Sequence, residues 1–239
     1  MTVKVVISGP RGKMGSQVYN KLKGTENIQI VGLLDYKLEK WSDAKSDIPV
    51  FDDAKKCFTE TMPDVFIDFT NAEASSSYIE VAIKQKVKVI TGTTGFSDEQ
   101  LDYIAALATD HEVGCVVAPN FALGAALMII LSPSAAQYFD HINILERHHE
   151  QKYDIPSGTA HTIQQLIEEN TNKKPKTFSV RSTGYIAHHE VVFGGAGQVL
   201  TIKHDSFNRD SFLHGLMLTV DEIHHINEFV FGLENVLRL

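Results

Sequence analysis

The chain has 239 residues, 43% of them apolar and 22% charged, with a formal net charge of −8. That length suits one large domain or two smaller ones, and the apolar content is enough for a core. The acidic balance and the lack of a basic run set aside general nucleic-acid binding, so an anionic ligand would need positive charge placed locally.

The first half alternates strand and helix. VKVVIS (3–8) is a short β-branched run bounded by Gly9, which predicts a buried strand. Met14, Val18 and Leu22 repeat at helical spacing over 13–23. IQIVGLLD (28–35), DVFIDFT (64–70), VKVITGTTG (87–95) and VGCVVAPN (113–120) predict further strands. A helix carrying Tyr78, Ile79, Ala82 and Ile83 lies between, as does SDEQLDYIAALA (97–108), which Ser97 can cap. Apolar strands alternating with helices imply a parallel sheet covered on both faces, with its active edge at the carboxyl ends of the strands.

After Asn120 the pattern changes. A long helix over about 123–139 precedes the strand HINILERHH, and a helix over about 157–171 follows. TFSVRSTGYI, EVVFGGAG and QVLTIKHD predict strands joined by glycine-containing turns, and SFLHGLMLTVDEIHHI predicts a helix. The expected architecture is α/β: an N-terminal Rossmann-like parallel sheet and a second α+β domain with a mostly antiparallel sheet. The expected division is 1–119 plus 208–239 for dinucleotide binding, and 120–207 for substrate binding and oligomerisation.

Cys57 and Cys115 form no CxxC pattern, which argues against a disulfide scaffold or a cysteine zinc site. The apolar start is too short for a signal peptide, and the window FALGAALMIILSPSAAQYF is broken by Pro133 and falls short of a membrane span. The chain reads as soluble, reduced and cytoplasmic.

GPRGKMG places Gly9, Gly12 and Gly15 between the first strand and the first helix. Glycines there allow a tight turn and close approach of a pyrophosphate, and the helix N-terminus offers free N–H groups and partial positive charge. The spacing is GxxGxxG, not the usual GxGxxG. Asp35, at the end of the second strand, stands where an acid accepts from ribose hydroxyls. Its charge favours NADH, whereas Lys37 would attract a 2′-phosphate, so cofactor choice stays open. DFT, GTTG and APNF sit at strand ends along the same edge.

ERHHEQKYDIPSGTA (146–160) combines His148, His149 and Lys152 with a helix start. Adjacent histidines on a strand point to opposite faces, which disfavours a shared metal ion. Histidine exchanges protons near neutral pH, and Lys152 supplies charge or a proton. Pro156 suits the first helical turn, Ser157 or Thr159 can cap, and the N–H groups at Gly158 and Thr159 make a carboxylate site. The other adjacent pairs, His188/His189 and His224/His225, read as ordinary core or surface histidines.

These motifs together resemble the dihydrodipicolinate reductase family over nearly the whole chain: GPRGKMG, DFT, GTTG, APNFALG and above all HHEQKYDIPSGTA. The resemblance implies NADH- or NADPH-dependent reduction of a small cyclic dicarboxylate in lysine and diaminopimelate synthesis. It implies that Gly9, Pro10, Arg11, Gly12, Lys13 and Met14 hold the pyrophosphate and Asp35 the ribose. Gly92, Thr93, Thr94, Ala118, Pro119, Asn120 and Phe121 would line the nicotinamide side. His148 would exchange the proton, with Lys152 as a second donor, and His149, Ser157, Gly158 and Thr159 would bind substrate. No metal, membrane or nucleic acid is implied, and the expected assembly is a homotetramer. The chain departs from the common pattern at Tyr36, Ala122, Thr183, Ala187 and His188. Two other classes fit the first half: a nicotinamide oxidoreductase acting on a sugar or homoserine, and a dinucleotide-sensing regulator. The oxidoreductase would not need the SGT cradle, and the regulator would need a basic DNA-binding element that the sequence does not show.

Overall fold

A computed structural model describes residues 2–36 and 47–237. Lys37 therefore lies outside the described residues. The chain divides into two compact units, residues 1–119 with 215–239, and residues 120–214.

The first unit is built on seven parallel strands: β1 (Val3–Ser8), β2 (Ile28–Leu34), β3 (Val50–Phe51), β4 (Val65–Asp68), β5 (Lys88–Thr91), β6 (Cys115–Val117) and β11 (Phe229–Phe231). Their order is β11-β6-β5-β4-β1-β2-β3. Val5, Val6 and Ile7 in β1 and the whole of β4 are buried, as expected for parallel strands covered on both faces. β1 pairs with both β2 and β4, so the chain order reverses beside it. That reversal makes the crevice where ligands of such sheets bind, and the glycine loop leaves β1 there.

The helices of this unit are α1 (Gly15–Lys23), α2 (Ala54–Thr61), α3 (Ala72–Lys84) and α4 (Asp98–His111). Ser97 caps α4 through a full capping box with Gln100. Asp53 and Asn71 cap α2 and α3 by accepting from Lys56 N and Ala74 N. One face of the sheet buries Phe58, Phe66, Ile79 and Ile83 in a core that includes Cys57 and Cys115. Burial pushes the thiol of Cys57 up to about 12, so it serves as an apolar filler.

The second unit has α5 (Leu123–Ala136), β7 (His141–His148), α6 (Gly158–Thr171), β8 (Lys176–Arg181), β9 (Ala187–Gly195) and β10 (Gln198–Ser206). The sheet order is β10-β9-β7-β8; β7 and β8 run parallel across the α6 crossover, and the other pairs are antiparallel. One face packs on α5 and α6 through Ile142, Ile144, Ile163, Ile167 and Phe193. α7 (Ser211–Glu222) and a 3₁₀ turn (Ile223–His225) follow.

Several expectations need correction. α5 ends at Ala136 instead of continuing to 139, and Lys173 Nζ then donates to the carbonyls of Ala136 and Phe139 at 3.0 and 2.9 Å. Pro133 lies inside α5 without ending it. Pro156 precedes the cap of α6 and is not in its first turn. Among the described residues no helix is long and apolar enough to cross a membrane.

Candidate active site

In the first unit the glycine turn is packed so that side chains are excluded. A Cβ on Gly15 would collide with the carbonyl of Gly9, and one on Gly9, whose φ is +65°, would come within 2.6 Å of Phe69 O. Met14 precedes α1 without capping it through a side chain, and Ser16 N donates to the Gly12 carbonyl at 3.0 Å, so the helix start stays open to a ligand without a side chain across it. Gly12 and Lys13 are exposed, Gly9, Arg11 and Met14 are half-buried, and Pro10 is buried beneath them.

Asp35 lies buried at the end of β2 and is gripped by Arg11. The guanidinium Nε donates to one carboxylate oxygen at 2.7 Å, and Nη2 donates to the other. Arg11 also lies over the Tyr36 ring, 5.8 Å from its centroid. The glycine loop thus supplies a cation beside the acid.

The DFT and GTTG strand ends converge on Asp68, which is fully buried. Its carboxylate accepts from Ser8, Thr70, Ser75, Thr91 and Thr93 hydroxyls. Thr93 is buried in this network while Thr94 is exposed. Gly92 packs under the Phe69 ring, where a Cβ would collide. Ala118 N donates to Thr91 O at 2.9 Å, Ala118 is buried and Pro119 exposed. A smooth glycine turn, an open helix N-terminus and an acid at the second strand end fit a dinucleotide.

In the second unit, His148 closes β7 and is buried, whereas His149 follows it and is exposed. His148 Nδ1 is hydrogen-bonded to the carboxylate of Glu146, two residues earlier on the same face of the strand. Glu146 has no exposed surface and also accepts both arms of the Arg181 guanidinium at 2.8 Å each. Burial would push this carboxyl up. Hydrogen bonds from Arg181, Ser179 and His148 outweigh it and hold the group down at about 2. Burial lowers His148 below the usual histidine value; Glu146 opposes that shift, and Lys152 and Arg181 add to it.

His189 on β9 sits edge-on to His148 with ring centroids 5.1 Å apart. Its burial, with His148 nearby, brings it down to about 3. Its Nε2 meets the Ser157 hydroxyl at 2.9 Å, and Ser157 caps α6 by accepting from Ala160 N. Lys152 is half-buried and pairs with Asp154 at 2.9 Å. Gly158 opens α6 with empty space where its Cβ would be. Thr159 Oγ1 accepts from Asn120 Nδ2 at 3.2 Å, so Asn120 joins the α6 N-terminus; Phe121 is buried beside it in sequence.

The structure thus draws His148, Ser157 and Thr159 into one region of the second unit, while His149 stays at its exposed rim. Glu146, Arg181 and His189 belong to the same region and were not singled out from the sequence. The spacing of Glu146 and His148, two apart on a strand, was the available signal. Among the described residues, no group of three or more His, Cys, Asp or Glu could hold a metal ion.

A parallel sheet with a glycine turn at its switch point, and a second unit with a buried histidine beside a lysine and an open helix start, define a nicotinamide-dinucleotide-dependent oxidoreductase. Residues 3–121 match the family described as dihydrodipicolinate reductase, N-terminus, and residues 124–237 match its C-terminus. The chain belongs to the dihydrodipicolinate reductase family, NAD(P)H-dependent oxidoreductases that reduce 4-hydroxy-tetrahydrodipicolinate in lysine biosynthesis.

The chain is 41% identical to the 4-hydroxy-tetrahydrodipicolinate reductase of Bacillus licheniformis, over 99% of this chain and 98% of the relative. It is 39% identical to that of Geobacillus kaustophilus over the full length of both. A dipicolinate-bound dihydrodipicolinate reductase from Paenisporosarcina sp. TG-14 superposes with a TM-score of 0.88 at 38% identity, covering 99% of this chain and 100% of that one. An amine dehydrogenase from Mycobacterium smegmatis, at 13% identity and a TM-score of 0.75 over 100% of this chain and 97% of that one, shares the fold.

Proposed function

We propose that this chain reduces 4-hydroxy-tetrahydrodipicolinate to tetrahydrodipicolinate, with His148 delivering the proton and Lys152 carrying positive charge to the substrate. The observation that carries the reading is the setting of His148. It is buried at the end of β7 with Nδ1 held by Glu146, which leaves Nε2 to serve the reaction, and Lys152 follows on the next turn.

The substrate carries two carboxylates. The N–H groups of exposed Gly158 and half-buried Thr159, the α6 dipole, His149 and Lys152 suit such an anion, and Ser157 holds the turn. The bound dipicolinate of the Paenisporosarcina relative supports a small cyclic dicarboxylate at this kind of site. The dinucleotide is assigned to residues 1–119 plus 208–239, where Gly9, Pro10, Arg11, Gly12, Lys13 and Met14 would hold the pyrophosphate. Asp35 would hold the ribose, and Gly92, Thr93, Thr94, Ala118, Pro119, Asn120 and Phe121 would hold the nicotinamide end. When bound and reduced, NADH or NADPH supplies the hydride.

His148 is shifted toward its neutral form in the free protein. An arriving dianion favours its protonated form, so substrate binding loads the donor. Lys152 and the α6 N-terminus stabilise the negative charge that develops on the ring as hydride arrives, and His148 neutralises it. The 4-hydroxyl and a hydrogen of the neighbouring ring carbon are lost together as water, so that the hydride and the His148 proton are the two hydrogens the ring gains.

Phe178, Val180 and Val199 are exposed on the face of the second unit's sheet that α5 and α6 do not cover. These apolar side chains lie on the two edge strands of that face and support association of identical chains, here read as a homotetramer. The location is read as cytoplasmic.

The test is oxidation of NADH or NADPH by purified protein with substrate made in place by the preceding synthase. Pyridine-2,6-dicarboxylate is expected to compete with substrate. No competition at millimolar concentration would remove the carboxylate assignment.

A further inference from the structure

Arg181 reaches in two directions. On β8 it stands opposite His148 in the parallel register with β7. Its two Nη atoms hold Glu146 in a bidentate pair, at 2.8 Å on each arm. Its Nε donates to the carbonyl of Lys152 at 3.1 Å, and Nη2 also donates to the carbonyl of Asp154. One planar guanidinium therefore grips both the carboxylate behind His148 and the backbone of the turn that carries Lys152.

We propose that Glu146 and Arg181 are positioning residues for the reduction: Glu146 fixes His148 as the Nδ1–H tautomer with Nε2 free, and Arg181 locks that carboxylate to the Lys152 turn. Proton donor and ammonium are thereby held as one body. The proposal rests on the reading that His148 and Lys152 do the chemistry.

The chemistry of each partner is specific. An ionised carboxylate only accepts, so it selects the imidazole tautomer whose proton lies on Nδ1. A lysine at 181 would bring charge but not the fork that meets two carboxylate oxygens and two carbonyls together. The pair is also self-consistent in burial: Glu146 has no exposed surface, and the Arg181 side chain is 14% exposed. A buried carboxylate is tolerable here because Arg181, Ser179 and His148 all donate to it.

The charges around His148 separate positioning from mere scaffolding. It faces Glu146 on its own strand, Lys152 on the following turn, Arg181 on β8 and His189 on β9. Glu146 favours the imidazolium, while Lys152 and Arg181 disfavour it. Removing Glu146 and removing Arg181 should therefore move the titration of His148 in opposite directions.

The test uses full-length E146Q, R181Q and H148Q. Nitrogen-15 NMR of labelled histidine, with His148 assigned by its loss in H148Q, reads tautomer and titration. The pH profile of kcat/KM reads the free enzyme. In the native protein His148 is expected as the Nδ1–H tautomer. In E146Q the tautomer should become mixed or Nε2–H, the titration should move to lower pH, and kcat should fall by less than H148Q costs. In R181Q the titration should move to higher pH, and KM for substrate should rise as the Lys152 turn loosens. The double variant E146Q/R181Q removes both charges together, and serves if either single variant fails to fold. It should show the mixed tautomer with a smaller displacement of the titration. An unchanged tautomer in E146Q, or displacement of both single variants in the same direction, overturns the proposal. In the double variant alone, a retained Nδ1–H tautomer with native kcat overturns it. Native turnover by H148Q would instead overturn the underlying reading, so the two failures are distinguishable.

Discussion

The hydroxyl of Thr93 donates to the carboxylate of Asp68 at 2.7 Å, and the same Thr93 oxygen accepts from Thr70 N at 3.0 Å. Two strand-end loops, from β4 and β5, are thus tied to one buried acid, and Ser8 ties the start of the glycine loop to it as well. Asp68→Asn would set an amide donor among hydroxyl donors. Hydrogen bonds to charged groups contribute about 1.5–3 kcal/mol each, and some of these would be remade. A stability loss of roughly 3 kcal/mol is expected, with a weaker affinity for reduced dinucleotide and little change in pyridine-2,6-dicarboxylate affinity. Denaturant titration and the two ligand titrations check this. Unchanged dinucleotide affinity would show that the network does not shape that site.

Gly158 offers a cleaner separation of folding from binding. Its Cβ would meet nothing within 4 Å, and it occupies the first position of α6. Gly158→Ala is expected to leave stability unchanged or raise it by up to about 1 kcal/mol, because alanine favours helix. The added methyl group would stand where the substrate carboxylate is assigned, so KM for substrate should rise while dinucleotide affinity stays native. A native KM would place the carboxylate elsewhere.

The buried histidine and carboxylate predict acid lability. His189 falls from 6.5 to about 3 because of burial and its neighbours, so below pH 6.5 the unfolded chain binds a proton that the folded chain does not. Its stabilising contribution is complete above 6.5 and is lost as pH falls toward 3. Glu146 falls from 4.5 to about 2, so its contribution is complete above 4.5 and lost on the way to 2. His148 and His204 are shifted in the same sense as His189. Each such proton contributes up to about 1.4 kcal/mol per pH unit. Stability measured by denaturant between pH 7 and 4 should decline with acid, more shallowly in His189→Gln. A flat profile would contradict the burial of these groups.

Much of this architecture was legible in the sequence, for physical reasons. VKVVIS and DVFIDFT are unbroken apolar runs, and only a doubly covered parallel strand buries such residues on both faces. Ser97 with Gln100 announced α4 through the groups that cap it. α2 was not legible, because Ala54, Cys57 and Phe58 are its only buried residues among polar ones. β3 and β11 are two and three residues long and are held by their neighbours in the sheet. In the site, His148, Lys152 and the SGT run stand out locally. Glu146 could have been found from its same-face spacing to His148. Arg181 could not, since its link to Glu146 spans 35 residues and depends on the parallel pairing of β7 with β8.

The central claim is that His148 and Lys152 carry out the reduction. Turnover by His148→Gln and Lys152→Ala, with NADH affinity measured alongside, tests it most directly. A general acid contributes about 10²–10⁴-fold, so kcat should fall by that order in each variant while NADH affinity stays native. Native turnover in His148→Gln, or in both variants, would contradict the account.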